Sequence, residues 1–93
     1  MYKLYIHYTE KYKEIYGENT AVLLQVGGFY EIYSSGSDIV NIRTIADLCG
    51  MIVTKKSKAI PDVGPHNPYM TGFPIEAIQK FLNILVSNQY TCI

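Results

Sequence analysis

Apolar positions along the chain follow two periods, and the switches between them mark the elements. Tyr5, Tyr8, Tyr12 and Ile15 fall at i, i+3, i+7 and i+10, the spacing of one helical face. This predicts a helix over residues 2–16 with those four turned to the core. Lys3, Lys11, Lys13, Glu10 and Glu14 then lie on other faces, and Gly17 is placed to stop the helix. Residues 21–26 are apolar on both sides for most of their length, which predicts a central or well-covered strand. Gly27-Gly28 follows. A Gly-Gly pair between apolar runs predicts a tight hairpin, because both positions are free to take a positive φ. Beyond it, Phe29, Glu31 and Tyr33 alternate onto one face of a strand, and Tyr30 and Ile32 onto the core face.

The second half is read in the same way. Ser34-Ser35-Gly36-Ser37 is a loop, and Ser37 or Asp38 is placed to cap a helix over residues 39–48. Ile39, Ile42, Ile45, Ala46 and Cys49 make one side of that helix, and Gly50 ends it. Residues 51–54 form a short strand, followed by Lys55, Lys56 and Lys58. Residues 59–68 hold three of the four prolines, a glycine and His66, without periodicity, and predict a mobile loop. Residues 69–73 read as a short extended piece. Pro74 takes the first position of a last helix, where its missing N–H costs nothing. Ile75, Ile78, Phe81, Leu82 and Leu85 give that helix an apolar face, Asn88 closes it, and residues 90–93 begin a final strand. The order predicts the α/β (α+β) class, a mixed β-sheet flanked by helices, in one domain over residues 1–93.

Composition narrows the function. The chain is 48% hydrophobic, enough for a real core. Its 8 basic and 8 acidic residues cancel, so a phosphate-binding basic excess is absent. Cys49 and Cys92 are far apart in sequence, which predicts free, buried thiols in a reducing compartment and no zinc site. His7 and His66 have no nucleophile or acid arranged around them, so no catalytic residues are assigned and the fragment is not expected to be an enzyme. No apolar run reaches membrane-spanning length and no signal peptide precedes the first helix, which predicts a soluble intracellular protein away from membranes.

The octapeptide from Val26 to Tyr33 holds the most distinctive chemistry, an aromatic ring and a carboxylate at i and i+2 on the rim of a turn. Alone it is readable as an ordinary strand. With the rest of the chain, it resembles the N-terminal mismatch-recognition domain of the MutS family of DNA mismatch repair proteins. The resemblance rests on the Tyr/Lys-rich first helix and on Val22-Leu23-Leu24-Gln25-Val26-Gly27-Gly28-Phe29-Tyr30-Glu31. Ile52-Val53-Thr54-Lys55-Lys56, Met70-Thr71-Gly72-Phe73-Pro74 and Thr91-Cys92-Ile93 follow in the family's order. It implies that Phe29 inserts from the minor groove at a mispair while Glu31 hydrogen-bonds the base. Gly28 stands where the family usually has Asp, which loosens the presenting turn.

The physics of those roles is sound. Apolar wedges unstack base steps at a cost of about a few kcal/mol per step, and less at a poorly stacked mispair. An ionised Glu31 only accepts hydrogen bonds, and donation to a purine nitrogen requires a proton on it. Once DNA is the partner, Lys55, Lys56 and Lys58 become phosphate contacts of secondary weight. Otherwise they read as a solvated edge that blocks strand pairing. The resemblance further implies double-stranded DNA with mispairs as partner, a longer MutS chain that forms a dimer, and no cofactor in this domain. ATP and Mg are expected in downstream domains, since no Gly-x-x-x-x-Gly-Lys-Ser/Thr run occurs here. The competing expectation is a structural or protein-interaction domain that no longer reads mismatches. A small metal-dependent nuclease has little support, because no acidic cluster stands beside a strand-borne Lys.

Overall fold

The computed structural model describes residues 2–35 and 40–93, so the predicted caps Ser37 and Asp38 lie outside the described residues. The first helix, α1, is Tyr2–Tyr16, and Gly17 ends it in a left-handed conformation with its N–H on the Lys13 carbonyl, 2.7 Å away. Its buried line is Tyr5, Thr9 and Lys13, not the predicted Tyr5, Tyr8, Tyr12 and Ile15. Tyr8 and Ile15 are exposed. Apolar residues occur on several sides of this helix, so period alone left its rotation open. Long-range bonding decides it, since the Tyr5 hydroxyl donates to the Val22 carbonyl at 2.7 Å. Lys13, expected on an outer face, is only 7% exposed, with its ammonium 3.8 Å from the Glu18 carboxylate.

The predicted strand over residues 21–26 divides. β1, Thr20–Ala21, pairs in parallel with β6, Thr91–Cys92. β2, Leu24–Val26, turns into a second, antiparallel sheet and pairs with β3, Phe29–Ser34. β2 is an edge strand with Gln25 and Val26 exposed, rather than a central one. The order of this sheet is β2-β3-β5-β4, where β4 is Thr54–Lys55 and β5 is Tyr69–Pro74. The expected extended piece at residues 69–73 is therefore an interior strand, paired with β3 over six positions from Phe29↔Pro74 to Ser34↔Tyr69. The fold class is α+β, with parallel and antiparallel pairing separated into two sheets.

α2 is Ile42–Cys49, shifted three residues from the predicted start. Asn41 enters it in a left-handed conformation without a side-chain cap, and Gly50 leaves it with its N–H on the Ala46 and Asp47 carbonyls. Pro74 does not open the last helix. It is extended, at φ −60° and ψ 146°, and ends β5; a 3-10 turn, Ile75–Ala77, then leads into α3, Ile78–Ser87. Pairing with Phe29 holds Pro74 in the sheet. Asn88 closes α3, with its side-chain amide donating to the Ile84 carbonyl at 2.8 Å. Ile32, Ile45 and Leu85 are completely buried in the core. Tyr30 is half-buried against Phe73, which stacks on Phe81 at 4.5 Å.

Residues 57–68 are organised around one buried amide, contrary to the mobile loop expected. The Ser57 N–H donates to Asn67 Oδ1 at 2.8 Å, and Asn67 Nδ2 reaches the carbonyls of Ser57, Ile60 and Asp62 at 3.0–3.1 Å. One side chain thus replaces the ladder that the prolines preclude. Asn67→Ala is expected to destabilise the domain by about 1–3 kcal/mol, the cost of buried polar groups left unpaired. Denaturant unfolding with limited proteolysis in residues 57–68 checks this.

Candidate nucleic-acid interface

Strand β3 is buried at one end and bare at the other. Ile32, Tyr33 and Ser34 are buried, Tyr30 and Glu31 are intermediate, and Phe29 is 49% exposed. The hairpin before it has a two-residue turn, with Val26 paired to Phe29. Gly27 is left-handed at φ 58°, but Gly28 is not, so only one of the two glycines uses the freedom expected of both. The turn is held from the side, because the Ile75 N–H donates to the Gly28 carbonyl at 3.0 Å. That bond ties the base of the Phe29 presentation to the start of the last helical segment. A Cβ on Gly28 would meet nothing within 4 Å, so there is room here for a side chain such as Asp.

Glu31 lies two residues on, on the same face. Tyr33 donates its hydroxyl hydrogen to Glu31 Oε1, leaving the other oxygen for a ligand. The Tyr33 ring is packed edge-on against Tyr5 at 5.6 Å. Burial first, then the bond to Glu31 and its charge, hold the Tyr33 hydroxyl well above the ordinary tyrosine range, so it remains a donor at neutral pH. Across the ladder, Glu31 pairs with Gly72. A Cβ at Gly72 would stand 2.5 Å from the Tyr30 carbonyl oxygen and 3.4 Å from Glu31 Cγ. Only glycine lets the two strands approach here.

Phe29, Glu31 and Gly72 line an open cleft of about 310 Å³ with Ile52, Thr54, Met70 and Thr71. A larger hollow of about 500 Å³, beside Arg43 and Tyr69, contains none of the predicted site residues. The lysines are not equivalent. Lys56 Nζ lies 5.2 Å from the Tyr33 ring centre, on the Glu31 side of the sheet. Lys55 Nζ turns to the Pro61 carbonyl at 3.5 Å, and Lys58 is exposed in the following segment. The structure therefore brings Glu31 and Lys56 to Tyr33 and sets Phe29 and Glu31 in one cleft, and it places none of Lys55, Lys56 and Lys58 in that cleft. The roles of Gly72 and Tyr33 were not anticipated. A glycine amid Met-Thr-Gly-Phe was the available signal for close backbone approach. Among the described residues no cluster of His, Cys, Asp or Glu is fit to hold a metal ion, and no helix is long and apolar enough to cross a membrane.

The chain is similar to a MutS homolog along its whole length. It is 35% identical over 95 residues, 100% of this chain, to the mutS homolog L359 of Acanthamoeba polyphaga mimivirus, a protein named for DNA mismatch repair. The chain spans 8% of that relative's length. No protein-family model matches it. The similarity supports a MutS-like domain.

Two measurements follow from this geometry. Gly27→Val is expected to destabilise the fold by about 1–2 kcal/mol through left-handed strain, whereas Gly28→Asp leaves the unfolding midpoint unchanged. The second concerns alkali. A raised folded-state value means that the contribution of Tyr33 is complete below the unfolded tyrosine value of about 10 and fades as pH rises above it. Stability should thus decline above that pH, and Tyr33→Phe should remove the latest-ionising tyrosine from an ultraviolet titration.

Proposed function

We propose that this domain reads mispaired or deformable double-stranded DNA as part of a larger DNA mismatch repair ATPase. Phe29 enters the minor groove at the mispair, and Glu31 hydrogen-bonds the exposed base. The observation that carries the reading is the half-exposed phenylalanine at the rim of a side-anchored hairpin, with a carboxylate held beside it by Tyr33. The similarity to a mutS homolog supports it. The two side chains play different parts. The ring reports how readily the DNA unstacks and bends, because the wedge costs less where stacking is already poor. The carboxylate supplies an acceptor, or a donor when it carries a proton, for the displaced base.

The domain itself is non-catalytic in this reading. ATP and Mg belong to other domains of a dimeric protein, and Lys56, beside Tyr33 on the same sheet face, supplies a phosphate contact flanking the cleft, with Lys55 and Lys58 of lesser weight. Zero net charge leaves little counterion-driven affinity in the domain alone. The complete protein is therefore the proper material for the test. Phe29→Ala should abolish its preference for a mispaired over a matched duplex in a binding titration. Retention of that preference would establish the alternative, a structural or protein-interaction domain. Glu31→Gln keeps a hydrogen-bonding head group and should retain more mispair affinity than Glu31→Ala; equal losses for every mispair would exclude donation from a neutral Glu31.

A further inference from the structure

Ile52 is 81% exposed, the most exposed of the large apolar side chains among the described residues. It precedes β4 by two positions, and the cleft that holds Phe29 and Glu31 is the one it lines. Its backbone is fixed, since the buried Thr71 hydroxyl donates to the Ile52 carbonyl at 3.0 Å. The β4–β5 pairing consists of Thr54↔Met70 and Lys55↔Tyr69, so Ile52 lies just beyond its end, held there by the Thr71 hydroxyl. Gly72, the residue after Thr71, pairs with Glu31 and has no side chain. Glu31, Gly72 and Ile52 thus line one cleft.

This cleft has a bare position at Gly72, and both a carboxylate and an exposed branched alkyl group line it. Phe29 stands at its end, two residues from Glu31. We propose that Ile52 is a specificity-determining residue of this site, an apolar wall against the deoxyribose of the nucleotide whose base Glu31 meets. The inference rests on the mismatch-reading function proposed above and adds a contact that exists only when Phe29 is inserted. A duplex that stays straight keeps its sugars above the rim of the cleft, out of reach of Ile52. A duplex that yields to Phe29 lowers a nucleotide onto Gly72 and covers the isoleucine. Removal of that apolar surface from water then favours the bent complex alone. The carboxylate in the same cleft discourages phosphate from taking the same place, which leaves sugar and base edge as the compatible occupants.

The test uses the complete protein and fluorescence anisotropy with mispaired and matched duplexes of one length. Ile52→Asn should weaken mispair binding by roughly tenfold, the effect of forgoing burial of one large aliphatic side chain. Matched-duplex binding and the unfolding temperature should stay unchanged, since the side chain is exposed in the free protein. Ile52→Val should restore most of the mispair affinity. In a Phe29→Ala background the same Asn substitution should have no further effect. Unaltered mispair affinity in Ile52→Asn, or an equal loss on both duplexes, overturns the inference. If Phe29→Ala abolishes discrimination in that same experiment, the mismatch reading stands without Ile52; if Phe29→Ala also leaves discrimination intact, the reading itself has failed.

Discussion

The close approach of β3 and β5 is the constraint on which the site depends. Six consecutive residue pairs join the two strands. The pairing passes through a point where a Cβ on Gly72 would overlap the Tyr30 carbonyl. The absence of that one carbon places Glu31 beside an empty position, sets the floor of the cleft and aligns Pro74 with Phe29. Through Pro74, the ladder also places the Ile75 amide where it holds the turn at Gly28. A single register thus determines which side chain protrudes, which carboxylate stands beside it and how firmly the hairpin is held.

The same sheet face changes character along its length. At the Tyr33 end it is packed against Tyr5, with Lys56 over the ring. At the Phe29 end it is open. A polar contact, the Tyr33 hydroxyl on Glu31, crosses from the packed part to the open part. Buried hydroxyls require partners, so satisfying Tyr33 and orienting Glu31 are one event. This is a means of pre-organising a binding carboxylate from the core, without a surface salt bridge that salt would screen. In the role proposed above it suits a chain with no net charge, because recognition would then rest on the shape and deformability of the DNA rather than on the density of phosphate contacts.

Much of the architecture was legible in the chain. The first helix, the Gly-Gly hairpin, the Phe29 strand, the Gly17 and Gly50 stops and the closing strand each depend on local spacing or on glycine's backbone freedom. Phe29 and Glu31 on one face required no more than a period of two. Errors arose wherever a long-range partner intervened. The tyrosine stripe of α1 was rotated because Tyr5 answers to a carbonyl in another segment. Residues 21–26 divided because two sheets compete for them. The proline-rich loop proved ordered because an asparagine at its own end gathers its carbonyls, a contact between non-adjacent residues that no periodicity marks.

The sequence by itself determined which residues alternate, where the chain turns, and that an aromatic and an acid share a strand face. Those properties reside in neighbouring residues and in the steric limits of their own backbone. Only the tertiary structure decided that Gly28 is braced by Ile75, that Tyr33 holds Glu31, and that Gly72 and Ile52 line one cleft with it. The brace at Gly28 depends on a register between segments more than forty residues apart in the chain, while Tyr33 and Glu31 are near neighbours that burial of the sheet face brings together. Register is set by packing of the whole sheet against its helices, a sum over many weak contacts that no short stretch of sequence contains.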